Sequence, residues 1–158
     1  MTKRLIFLII TIAAATSSLL AQSGEKTVGL LAGYTTESRS VVAGLFFQYR
    51  CSSLLRLAPD CQIAIKNNNR SAFIFNGNAH FLIKTSSKTN IYPLVGLTYH
   101  NWKYYNSDRE NKNRFGGNIG AGFEVMATST LKLSVEAKYS LIKDFSSGNF
   151  FASIGYLF

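Results

Sequence analysis

The sequence predicts an all-β fold, an eight-stranded antiparallel up-and-down transmembrane β-barrel. Three observations carry the prediction. A side-chain alternation of period two recurs in eight segments, the segments are long, and the connectors alternate between short and long. Successive side chains on a strand point to opposite faces, so two unlike residue sets mean two unlike environments. Helical periodicity is weak throughout.

The alternation is read segment by segment. Val28, Leu30, Ala32 and Tyr34 alternate with Gly29, Leu31 and Gly33. Ala43, Leu45, Phe47 and Tyr49 alternate with Gly44, Phe46, Gln48 and Arg50. Leu57, Pro59, Cys61, Ile63 and Ile65 alternate with Ala58, Asp60, Gln62, Ala64 and Lys66. Phe73, Phe75, Gly77, Ala79 and Phe81 alternate with Ile74, Asn76, Asn78 and His80. Val95, Leu97 and Tyr99 alternate with Gly96, Thr98 and His100, and Ile119, Ala121, Phe123 and Val125 with Asn118, Gly120, Gly122 and Glu124. The clearest segment is LKLSVEAKYSL, with Leu131 to Leu141 on one face and Lys132, Ser134, Glu136, Lys138 and Ser140 on the other. The last alternates Phe150, Ala152, Ile154, Tyr156 and Phe158 with Phe151, Ser153, Gly155 and Leu157.

These segments run to roughly nine to twelve residues. A tilted strand needs about 9–11 to cross a bilayer, whereas globular strands average about 5–6. Short connectors fall at Cys51–Ser53, Ser86–Thr89 and Thr128–Ser129. Longer ones fall at Thr36–Ser40, Asn67–Arg70, Trp102–Asn113 and Lys143–Gly148. Membrane barrels have short turns at one end and longer loops at the other. Tyr34, Tyr49, Tyr92, Tyr99, Trp102, Tyr139, Phe150 and Phe158 lie near strand ends, as interfacial aromatic girdles do.

The first 21 residues read as a secretory signal peptide: Lys3 and Arg4, an apolar run from Leu5 to Ala15, then small and polar residues up to Ala21. The mature domain is then 22–158, with fifteen Lys and Arg against eight Asp and Glu, a net charge of +7. Export and the lack of a dense basic run argue against a nucleic-acid partner. Acidic lipid head groups or acidic glycans are the more natural ones.

An eight-stranded barrel is barely wide enough for its own side chains. Arg50, Asp60, Lys66, Glu124, Lys132, Glu136 and Lys138 fall on the inward set, with Gln48, Asn76, Asn78 and Asn118. Buried charges need partners, so these are expected to form a closed ion-pair and hydrogen-bond network. A narrow polar conduit is the alternative. Inward glycines make room for large neighbours such as Phe46. The run GGNIGAG lacks a following helix and a Lys-Ser/Thr pair, so it is no phosphate-binding loop.

Cys51 sits at a turn and Cys61 midway along the next strand. At ~3.3 Å per residue they are too far apart for a disulfide, and free thiols are expected. His80 and His100 face inward, with no metal-ligand spacing around them and no His-x-Ser. No catalytic residue, metal or cofactor is assigned, and an enzyme is not expected.

The signal peptide, YPLVGLTYH, GGNIGAGFEV, LKLSVEAKYSLIKDF and the terminal SIGYLF together resemble the small Gram-negative outer-membrane β-barrel proteins, the outer membrane protein beta-barrel domain or porin-like group. The resemblance covers nearly the whole mature chain. It implies a bacterial outer-membrane location, and contact with outer-membrane lipid and lipopolysaccharide. It also implies a terminal aromatic signal read by the barrel-assembly machinery, here Tyr156 and Phe158. Ser153 replaces a Gly common in that signal. The expected protein is a non-enzymatic monomer with a structural or surface-interaction role. Trp102, Tyr104, Tyr105 and Arg109 of the WKYYNSDRENKN connector are its candidate contact residues. A small porin, or a soluble lipocalin-like carrier of an apolar ligand, are the alternatives; the carrier would need an apolar interior and a polar exterior.

Overall fold

A computed structural model describes residues 24–36, 39–67, 70–104, 112–143 and 146–158. For Lys66, Asn67, Arg70, Lys103, Tyr104 and Lys112 it describes the backbone alone. The expected signal segment, 1–21, lies outside the described residues.

The strands are β1 (Lys26–Thr35), β2 (Ser40–Arg50), β3 (Leu55–Asn67), β4 (Arg70–Phe81), β5 (Ile83–Lys84), β6 (Thr89–Tyr104), β7 (Lys112–Met126), β8 (Leu131–Ile142) and β9 (Ser147–Leu157). The two-residue β5 continues the line of β4 beyond Leu82, so eight strands span the barrel. Every pairing is antiparallel between neighbours, β1 pairs with β9, and β4 pairs with β6, which closes the sheet. At the seam Lys26 and Phe158 exchange backbone hydrogen bonds of 3.3 and 3.0 Å. Closure leaves no unpaired edge.

The alternation sorts side chains as expected, and it is inverted relative to a soluble protein. Among the described residues, twenty-nine large hydrophobic side chains are exposed and twelve hydrophobic ones are buried. Leu97 is 73% exposed and Phe115 78%. Soluble monomers rarely expose continuous apolar patches above a few hundred Å². A hydrocarbon surround makes the same surface favourable. The interior is mostly polar, the reverse of what a carrier of an apolar ligand requires.

One end of the barrel has its short turns where the sequence reading places them, and the other end differs from that reading. At the end holding the chain termini, three turns share one chemistry. Ser52 and Thr128 hydroxyls each accept two backbone N–H groups of their own turn, and the Ser86 hydroxyl accepts that of Lys88 at 3.4 Å. At the opposite end β6 and β7 run on, so the connector between them is residues 105–111. Trp102 and Asn113 are therefore strand residues. The contrast in connector length is smaller than expected, because the ladders consume residues whose polar character reads as loop.

Several glycines face inward where a side chain would collide. A Cβ on Gly122 would meet the Tyr92 ring, and one on Gly29 the Phe46 ring. Lipid-facing Gly77 has open space instead. Gly122→Val is expected to lower stability by about 1–3 kcal/mol through overpacking. Gly77→Val is expected to stay within about 0.5 kcal/mol of the parent. Urea unfolding of the detergent-refolded chain followed by circular dichroism measures both.

Candidate functional site

The candidate site is the barrel interior, built where inward-facing positions of all eight spanning strands meet. Its charged half lies toward the chain termini. The Glu124 carboxylate accepts from Arg56 Nη1 at 2.7 Å and Asn90 Nδ2 at 2.9 Å, and Lys132 Nζ lies 3.7 Å away. Lys132 Nζ also donates to Gln48 Oε1 at 2.6 Å and Thr27 Oγ1 at 3.4 Å. Arg56 Nη2 donates to His80 Nδ1 at 3.0 Å. A guanidinium can only donate, so the His80 ring proton sits on Nε2, which points toward Glu136 at 3.9 Å. The His80 ring stacks on Tyr92 at 4.6 Å, and the Arg56 guanidinium lies 4.9 Å over the same Tyr92 ring. The Tyr92 hydroxyl donates to Glu136 at 3.3 Å.

Lys138 links this half to a second one. Its Nζ is 3.5 Å from both Glu136 and Asp60. Asp60 accepts from Gln62 and Asn76, both at 2.6 Å, and from Asn78 at 3.2 Å. Asn118 then donates to Asn76 and Asn78 and accepts from Ser140 at 2.8 Å. Asn149 donates to Ser140 at 3.0 Å. The charges balance: Arg56, Lys132 and Lys138 face Asp60, Glu124 and Glu136. That balance is what a low-dielectric interior demands, since breaking one buried pair leaves an uncompensated charge.

Apolar layers flank the polar middle. Leu82, Tyr92 and Leu94 pack together toward the terminal end. Val42, Ala64, Ala72, Ile74, Trp102, Ile142 and Phe151 pack together toward the other end. Between them an interior cavity of about 30 Å³ touches Gln48, Asp60, His80, Tyr92 and Glu136. That is space for one or two water molecules, with side chains filling the rest of the tier.

The sequence-assigned residues divide as follows. Asp60, Glu124, Lys132, Glu136 and Lys138 meet in one network as expected. Arg50 does not join it. It sits at the terminal rim, paired with Glu25 at 3.1 Å and donating to the Ser52 and Ser53 carbonyls, because its strand ends there. The Lys66 side chain lies outside the described residues. Arg56, Asn90 and Tyr92 are network members that the sequence reading missed. All three share the inward parity of their strands; Arg56 directly precedes the first residue assigned to its segment, Leu57, whereas Asn90 and Tyr92 lie five and three residues before theirs, Val95. Trp102 is a correction. It was expected on an external loop, yet it is 2% exposed, and His100 lies against it at 4.8 Å. Even parity on β6 turns it inward. Tyr92 is likewise internal and no part of a girdle. Tyr34, Tyr49, Tyr139, Phe150, Tyr156 and Phe158 do face outward. The Tyr104 side chain, Tyr105 and Arg109 lie outside the described residues. Both cysteines are free.

Residues 8–158 match the family model described as outer membrane protein beta-barrel domain. The chain belongs to this family. Solved structures agree on the fold. The N-terminal beta-barrel domain of Pseudomonas aeruginosa OprF superposes with a TM-score of 0.76 at 16% identity, over 87% of this chain and 100% of that one. Neisserial surface protein A gives 0.68 at 15% identity, over 85% and 96%. Ail, the attachment invasion locus protein of Yersinia pestis, gives 0.63 at 14%, over 87% and 100%. No curated protein sequence is significantly similar to this chain. As a family member with this closed sheet and apolar exterior, the protein is a transmembrane β-barrel.

Glu124→Gln should destabilise the barrel by about 3–5 kcal/mol, because Arg56 and Lys132 are left buried without their carboxylate. The double variant Arg56→Met/Glu124→Leu should recover much of that loss. Guanidinium unfolding of the two variants in detergent checks the coupling, and additive losses would count against it.

Proposed function

We propose that the protein is a non-enzymatic monomer of a bacterial outer membrane, exported by residues 1–21. Its barrel is a rigid mount for the connectors at the end away from the chain termini, which face the cell exterior. The observation that carries this reading is the filled lumen. Ion pairs, asparagine side chains and two apolar layers occupy the space a conduit would need. Catalysis would call for a nucleophile beside a base and an orienting acid. The buried groups here are instead spent on one another, with Arg56 on Glu124 and Lys138 between two carboxylates.

The names of two structural neighbours, an attachment invasion locus protein and a surface protein, agree with a surface role. Outer-membrane lipid and lipopolysaccharide would surround the apolar band. Tyr156 and Phe158, outward-facing at the terminal end, suit recognition by the assembly machinery.

The protein reconstituted in a planar lipid bilayer should give no discrete conductance steps at physiological salt. Reproducible steps that persist after repurification would overturn the plug and favour a small porin.

A further inference from the structure

Two prolines interrupt the barrel wall. Pro59 on β3 and Pro93 on β6 both have the outward parity of their strands, opposite Gly77 and Ala121. Proline has no N–H to give to a ladder. The β2–β3 register accordingly skips Phe47–Pro59 and Gln48–Ala58, although the pairs on either side form. That pattern turns the missing donor toward β2 and leaves the Phe47 carbonyl without its ladder partner. Pro93 does the same to Phe81. The β4–β6 register stops at His80–Leu94 and pairing resumes at Ile83–Ile91, which is why β5 stands apart from β4.

The two gaps have different surroundings. Behind Pro93 lie Leu82, Tyr92 and Leu94, the apolar layer that closes the lumen toward the terminal end. Behind Pro59 lies the interior cavity of about 30 Å³, lined by Gln48 and Ala58, the pair missing from the ladder. Outside, Pro59 shares a shallow depression with Gly77 and Ala79, and Gly77 has open space where a side chain would be. Asn78 lines both the depression and the cavity, so little more than backbone separates them. Along the seam, only Tyr49–Leu57 and Arg50–Arg56 lie between the gap and the turn at the terminal rim.

The chemistry of the cavity suits water. His80 Nε2 and Lys138 Nζ are buried donors that make no hydrogen bond among the described residues. His80 Nε2 is 3.9 Å from Glu136, and Lys138 Nζ is 3.5 Å from both Glu136 and Asp60. His80, Asp60 and Glu136 line the cavity. A water molecule there can accept from the two donors and donate to the two carboxylates, which gives it the two to four polar partners an internal water needs. An ion fits less well, because Arg56, Lys132 and Lys138 already balance Asp60, Glu124 and Glu136.

We propose that the β2–β3 seam at Pro59 is a local opening through which water enters from the terminal rim to an internal site formed by His80, Lys138, Asp60 and Glu136. Segments open locally where few ladder bonds hold them. This route runs beside the apolar layers and not through them, so it leaves the plug against ions in place.

Hydrogen exchange followed by NMR on residues 22–158 refolded in detergent tests the opening. Tyr49 and Leu57 amides should be at least about tenfold less protected than those of Val125 and Leu133, which lie equally far from their turn in the β7–β8 ladder. Pro59→Ala restores the donor for Phe47, and one ladder bond should slow Tyr49 and Leu57 by about tenfold while leaving Val125 and Leu133 unchanged. Pro93→Ala should leave all four unchanged. A water-to-protein nuclear Overhauser effect at the Ala58 methyl, which lines the cavity, tests the internal site. Equal protection at the two seams, a Pro59→Ala variant that slows all four amides alike or none, or no water contact at Ala58 would each overturn the proposal. The comparison of seams and the Ala58 contact use the parent chain, so they decide the matter even if Pro59→Ala does not refold.

Discussion

Closure of the sheet is the constraint on which everything else depends. In hydrocarbon, each unpaired backbone N–H or C=O costs several kcal/mol, so a spanning sheet must have no edge. The β1–β9 ladder meets that demand, running from Thr27 opposite Leu157 to Thr35 opposite Asn149. Closing at eight strands then fixes the bore, and a bore this narrow has to be filled by side chains. Exterior residues must be apolar because the solvent is lipid. The inward ones, polar for want of any other face, must satisfy each other.

The interior is the consequence of that geometry. Its polar contacts join side chains from every spanning strand, from Thr27 on β1 to Asn149 on β9. Replacing such a network with well-packed hydrophobic groups is often neutral or stabilising. Its value here lies in register. A one-residue slip of any strand would move its charges into lipid and its leucines into the lumen. Lys132 and Glu124 thus penalise wrong pairings. With the interior charges balanced, the net charge of the domain lies at the two ends of the barrel.

Most of the fold was legible in the sequence because membrane strands show both faces plainly. LKLSVEAKYSL carries its orientation in eleven letters. Strand ends were less legible. Arg56 and Tyr92 were missed because polar or amphipathic residues near a boundary read equally well as turn or girdle. Trp102 was misplaced for a related reason. Tryptophan is common at membrane interfaces, and only the continuation of β6 to Tyr104 reveals its inward parity. Pairing partners across strands distant in sequence, such as Arg56 with Glu124, follow from closure and have no local signature at all. The family resemblance was readable from whole segments; the strand boundaries at the end away from the chain termini were not, because connectors have no periodicity to read.

The most direct check on the inside-out assignment is heat-modifiable gel migration of residues 22–158 refolded in detergent, run boiled and unboiled. A faster-migrating unboiled band, together with a β-type circular dichroism spectrum, is the expected result for a closed barrel held by its ladder. A chain that stays monomeric and soluble with no detergent present, and migrates identically before and after boiling, would contradict it.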